Sequence, residues 1–176
     1  MQIKANDRAG MIPGIIVGAS VAAMALSARW LPAQVAWHFD FSGAPNAFVS
    51  RGIYLSLMMA LAVAAAVSVR FGLLAWVRGK TDALPIPNRG YQLAPERRDA
   101  TLAYVVRQTA WIAATFAVFV LLAYLFIIRC NRLTPAHQAP EELVCLMAGI
   151  LVVCLLWVAR IAWHFRRPGQ ARQPGT

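Results

Sequence analysis

Apolar and polar positions alternate along this chain in long blocks. Four stretches, 11–31, 52–77, 108–128 and 143–163, are almost wholly apolar. Their uncharged cores run from Gly10 to Ala28, Gly52 to Val69, Gln108 to Ile128 and Leu143 to Ala159. About 20 apolar residues carry a helix across the hydrocarbon core of a bilayer. Lipid supplies no partner for a free backbone N–H or C=O, so each block is predicted to be helical throughout, and four runs are too few for a closed β-barrel. Pro13 falls in the first turn of its helix, where a missing N–H costs nothing. The expected fold is all-α: residues 1–176 form a single membrane domain, a bundle of four transmembrane helices. It has two outer loops, 32–51 and 129–142, and one inner loop, 78–107. The first block could instead be a cleavable signal peptide, with Lys4 and Arg8 before it and Ala25, Leu26 and Ser27 as a loose cleavage site. Its 19 uncharged residues exceed a usual signal core, so an uncleaved anchor is expected.

Composition agrees with the pattern. Of 176 residues, 60% are hydrophobic and 14% charged, outside the usual range of a soluble domain. The formal charge of +10 is read as topology and attraction to anionic lipid, and no nucleic-acid motif accompanies it. Lys and Arg are retained on the cytoplasmic side. With both termini cytoplasmic, Lys4, Arg8, Arg78, Lys80, Arg89, Arg97, Arg98, Arg107, Arg166, Arg167 and Arg172 lie inside, and Arg29, Arg51, Arg129 and Arg132 outside. Arg70 and Arg160 fall near the inner helix ends. Arg70 is read as snorkelling to the interface, with binding of an anionic lipid or ligand as the alternative.

All seven acids lie outside the uncharged cores, which removes the intramembrane carboxylate that a proton relay needs. No nucleophile elbow, zinc motif, phosphate loop or carboxylate pair points to an enzyme, and no cofactor or metal is expected. Gly14, Gly18 and Ala22 make a small-residue stripe suited to close helix contact, within the bundle or in a homodimer. Cys130 and Cys145 flank the second outer loop, where a disulfide could form.

The first outer loop, "LPAQVAWHFDFSGAPNAFVSR" at 31–51, carries the densest chemistry. Val35, Trp37, Phe39 and Phe41 alternate with Ala36, His38 and Asp40, which predicts a short extended segment with one apolar face and places His38 and Asp40 on the other. Ser42, Gly43, Pro45 and Asn46 supply turn chemistry. His38 and Asp40 could hold the cap together, bind a ligand, or contribute to a metal or catalytic site; two ligands alone do not complete a metal site.

The residues Leu31, Pro32, Val35, His38, Phe39, Gly43, Pro45 and Arg51 resemble the signature loop of a bacterial membrane-domain family of unknown function. That domain also forms the N-terminal part of SdpI-type toxin-immunity proteins. "LPIPNRGYQLAPERRDATL" at 84–102 is similar to a second motif of its short members, with Gln92 where an aromatic is expected after Tyr91. The resemblance implies a multispanning inner-membrane protein, some of whose relatives protect a cell from its own peptide toxin. Those relatives carry further helices, whereas four are predicted here. The second motif also reads on its own: Pro85 and Pro87 extend the chain, Asn88 to Gly90 turn it, and Pro95 with Glu96 starts a helix that continues into the third span.

The expected function is a non-enzymatic binding or protection module, with a structural or accessory subunit, or a small transporter, as alternatives. Its expected ligand-binding residues are His38, Phe39, Asp40, Gly43 and Arg51. Arg89, Tyr91, Glu96, Arg97 and Arg98 are expected to meet lipid headgroups or a partner. The expected partners are membrane lipid and a peptide or membrane protein, with a homo-oligomer open.

Overall fold

The computed structural model describes residues 7–79 and 86–166. The element order is α1 (Asp7–Ser27), β1 (Gln34–Phe39), β2 (Pro45–Ser50), α2 (Arg51–Gly79), α3 (Arg89–Gln92), α4 (Pro95–Arg132) and α5 (Pro140–Arg166), with a 3₁₀ turn at Ala28–Trp30 after α1. Four of these helices are long and apolar enough to cross a membrane, within Met11–Trp30, Arg51–Val77, Pro95–Arg132 and Pro140–Arg166, as expected of a multi-pass membrane protein. Each expected span lies within or close to one of them. Pro95 opens a helix that continues without a break into the span, as its capping chemistry predicts, so the later part of the inner 78–107 segment is helical. Likewise α4 runs on to Arg132 and α5 begins at Pro140, so the second outer loop contracts to 133–139. Pro85 lies outside the described residues.

The chain is mostly helical, but the 32–51 loop adds a two-stranded antiparallel sheet that an all-α description omits. Its register pairs Gln34 with Ser50, Val35 with Val49, Ala36 with Phe48, His38 with Ala47 and Phe39 with Pro45. Trp37 and Asn46 are therefore each an extra residue in their strand. Such a bulge reverses the alternation of faces beyond it. This corrects the expected apolar face: Val35, Ala36 and Phe39 are buried, whereas Trp37 is 52% exposed and Phe41 fully so.

Helices α1, α2 and α4 form the body of the fold. At the hairpin end Met24, Tyr54, Val120, Tyr124 and Ile128 enclose Leu31 and Val35, so the loop plugs the space between the helix ends. The Tyr124 hydroxyl donates to the Met24 carbonyl over 3.0 Å, joining α4 to α1, and its ring stacks on Tyr54 of α2 at 5.9 Å. Midway, Ala62, Ala66, Ala110, Ala113, Ala114 and Ala117 are buried, which lets α2 and α4 approach closely where lipid provides no hydrophobic drive. At the opposite end Leu74, Val77, Leu102 and Val106 form a second cluster, with Ile86 and Leu93 against it. Hydroxyls within the spans turn back on their own helices: Ser20 donates to Ile16 O, Ser27 to Ala23 O and Thr115 to Trp111 O.

Two alternatives that the sequence leaves open are decided. The Gly14 and Gly18 stripe does not pack inside the bundle, since a Cβ at either position would meet nothing within 4 Å. Gly14, Gly18 and Ala22 are exposed, and Gly14 rims an open groove shared with Ala66 and Arg70 of α2 and Ala110 of α4. Cys130 is buried and Cys145 exposed, and both are free thiols.

Candidate functional site

Hairpin geometry places the polar side chains of the first loop. The Asp40 amide donates to Ala44 O over 2.9 Å and the Gly43 amide to Asp40 O over 3.0 Å, closing a turn with Asp at its first position and Gly at its fourth, where both are favoured. Asp40 Oδ1 accepts from the Ser42 hydroxyl at 2.6 Å, the Ser42 amide at 2.8 Å and the Ala44 amide at 3.0 Å. The Ser42 hydroxyl first, then the Ala44 amide, hold this carboxyl below its ordinary value of 3.8, because each bond favours the charged form. One carboxylate oxygen is thus committed to building the turn.

Gly43 has φ +83°, and a Cβ there would collide with the carbonyl oxygen of Gln138 and the ring of His137. Glycine is required on both counts. Its carbonyl accepts from the Gln138 amide at 2.9 Å, joining the hairpin to the 133–139 connection. Arg51 is likewise a tie: its amide donates to Ala33 O at 3.0 Å and Nη1 to Leu31 O at 3.3 Å.

The strongest tie was not foreseen. Asn131, in the last turn of α4, accepts from the Ala36 amide at 2.8 Å and donates to the Ala36 carbonyl at 2.7 Å. A side-chain amide here pairs with a strand as a neighbouring strand would, and Nδ2 also meets Ile127 O at 2.9 Å. Nothing in the sequence marks Asn131, because its partner lies 95 residues away.

These ties fix a groove of about 400 Å³ between the hairpin and the start of α5. His38, Asp40, Phe41 and Asn46 line one side, and Gln138, Pro140, Leu143 and Val144 the other. His38 Nδ1 lies 2.6 Å from Asn46 Oδ1, so that nitrogen donates and Nε2 remains to meet a ligand. Of the expected ligand-binding residues, His38, Phe39 and Asp40 line the groove, while Gly43 and Arg51 position it. Residues 15–63 match the family model of a domain of unknown function, DUF1648. The matched stretch runs from α1 through the hairpin into α2, so it contains His38, Asp40 and their turn, while Asn131 and the α5 wall lie beyond it. No curated protein and no solved structure matches the chain.

At the other end, the Arg97 guanidinium sits 4.0 Å over the Tyr91 ring. Glu96 occupies the first turn of α4, behind Pro95, where its charge complements the helix dipole. Arg89, Arg97 and Arg98 are exposed. Gln92, the departure from the expected aromatic, is buried; its Nε2 and Asn88 Nδ2 lie 3.4 and 3.3 Å from Phe165 O, satisfying a carbonyl at the end of α5. Asn88 adopts the left-handed conformation, with φ 54°, which asparagine tolerates better than most residues. Arg70 is half-buried, and its Nη1 donates to Val106 O at 2.9 Å and to Thr109 Oγ1 at 2.5 Å. The charge expected to snorkel is also fastened to α4.

Proposed function

We propose that this chain is a non-enzymatic protein of the bacterial cytoplasmic membrane, with both termini inside. Its hairpin end binds a peptide, lipid or membrane-protein partner as a protection module. The observation that carries this reading is the groove beside His38. It joins imidazole, carboxylate and amide groups to an apolar wall, and it is held by Asn131, Gly43 and Arg51 instead of being left to a slack loop. A site on a fixed scaffold loses less entropy on binding than one that must order itself. The excess of Lys and Arg in the inner segments supports the orientation. The resemblance to SdpI-type immunity proteins supports protection against a secreted peptide.

The exposed small-residue face of α1 favours a second reading, an accessory subunit in a membrane complex, because glycines open to lipid permit another helix to approach closely.

The deciding experiment places a photoreactive residue at Trp37 in intact cells and identifies the captured species by mass spectrometry. Binding at the groove predicts a discrete peptide, lipid or membrane-protein adduct that disappears in His38→Ala at unchanged abundance. Crosslinks confined to the protein's own helices would make the hairpin a lid. Capture that persists in His38→Ala and moves to a residue placed at Gly14 would favour the accessory role.

A further inference from the structure

Helix α5 stands apart from the rest of the bundle. None of its most apolar stretch is buried against the other helices, and α5 is held at its two ends. At the hairpin end Arg129 pairs with Glu142 at 2.5 Å. At the other, His164 stacks flat on Tyr104 of α4 at 3.7 Å and Phe165 is buried. Between these clamps an apolar cleft of about 330 Å³ opens, lined on α4 by Val118, Phe119 and Leu122 and on α5 by Leu146, Gly149 and Val153.

Charge gathers at the Tyr104 end of this cleft. The Arg107 guanidinium lies 5.5 Å from the Tyr104 ring on which His164 stacks. Arg160 precedes His164 by four residues, so the two share a face of α5. The Arg160 guanidinium lies 5.7 Å from the Trp157 ring, about one turn before it on α5. Arg107, Arg160 and His164 are all exposed. Among the described residues the ion pair is Arg129–Glu142, at the far end of α5, and no described carboxylate pairs with this cluster.

We propose that the α4–α5 seam is a binding site for an anionic phospholipid, its phosphate held by Arg107, Arg160 and His164 and its acyl chains laid in the cleft. The spacing suits such a molecule. Thr115, at the near edge of the cleft on α4, lies about 12 Å along the helix from Arg107, and Cys154 on α5 about 9 Å from Arg160. A lipid spans that step from headgroup to mid-chain without bending. Arginine suits phosphate because its planar fork donates two parallel bonds. A zwitterionic lipid would fill the same cleft but carries no net charge to offset the cations, so the seam selects by headgroup.

The test is native mass spectrometry of the full chain released from mixed micelles holding equal amounts of dioleoylphosphatidylglycerol and dioleoylphosphatidylcholine. The expected result is preferential retention of the anionic lipid. The Arg107→Gln/Arg160→Gln variant should lose that preference by roughly fivefold for each arginine removed, while Arg97→Gln/Arg98→Gln keeps it. Gly149→Leu, at a position where an added Cβ meets nothing within 4 Å, should fill the cleft and reduce retention of both lipids. Equal retention by the unaltered chain, or a preference unchanged in the double arginine variant, would overturn the proposal. Retention unchanged in Gly149→Leu would remove the cleft from it, and displacement of the bound lipid by millimolar inorganic phosphate would reassign the cluster to a free anion.

Discussion

Asn131 and Ala36, 95 residues apart, are joined by two hydrogen bonds of 2.8 and 2.7 Å between a side-chain amide and a backbone peptide. The hairpin is thereby bonded directly to the end of α4. Asn131→Leu removes both bonds and leaves a part-buried peptide unpaired, which costs about 1–3 kcal/mol. Thermal unfolding in detergent should show the loss, and limited proteolysis should cut within 31–51 in the variant before the helices melt. An unchanged digestion pattern would mean that the plug of Leu31 and Val35 suffices to hold the hairpin.

Gly43→Ala is expected to separate the two loops at this end. The left-handed backbone costs a non-glycine residue about 1 kcal/mol, and the new methyl meets the Gln138 carbonyl and His137. Faster hydrogen exchange at the Gln138 amide, with the exchange of α1 and α2 unaltered, is the expected signature.

Acid should open the Asp40 turn. Its carboxyl is held below 3.8 by the Ser42 hydroxyl and the Ala44 amide. A depressed value contributes stability that is present above the unfolded value and is lost as pH falls through the folded one. The turn is therefore intact at neutral pH and loosens below about pH 3.8. Fluorescence of Trp37 during an acid titration should report the change. Asp40→Asn retains an acceptor oxygen without the charge and should flatten the response.

Arg70→Met preserves the apolar stem but removes the donors to Val106 O and Thr109 Oγ1. The expected loss is about 1–3 kcal/mol. Arg70→Lys, which keeps the charge without the planar fork, should fall between the two. Thermal midpoints in detergent order the three proteins; equal midpoints would make this contact incidental to stability.

The spans were legible in the sequence because a bilayer imposes one rule on every residue that crosses it, and apolar blocks near 20 residues long satisfy that rule as helices. Pro95 and Glu96 announced the start of α4 by ordinary capping chemistry. The cap at 31–51 was legible as a structured element, and its turn residues serve as turn residues. Its faces were not. A bulge at Trp37 depends on how β1 meets β2 and on the burial of Ala36 beneath Asn131, neither of which leaves a mark in local alternation. The same holds for Gln92, whose role depends on Phe165 in another helix. The detachment of α5 was also illegible, since an apolar helix facing lipid and one facing protein read alike.

The length of α4 has a mechanical implication. At 38 residues it extends about 57 Å, nearly twice the hydrocarbon thickness, and it is unbroken from Thr101, bonded to Gln92 O, to Asn131, bonded to Ala36. Packed against α1 and α2 between those two bonds, the helix is braced along its length. The hairpin beside Ala36 and the α3 turn beside Thr101 are therefore anchored to one continuous strut, and the structures on the two faces of the membrane share a single support.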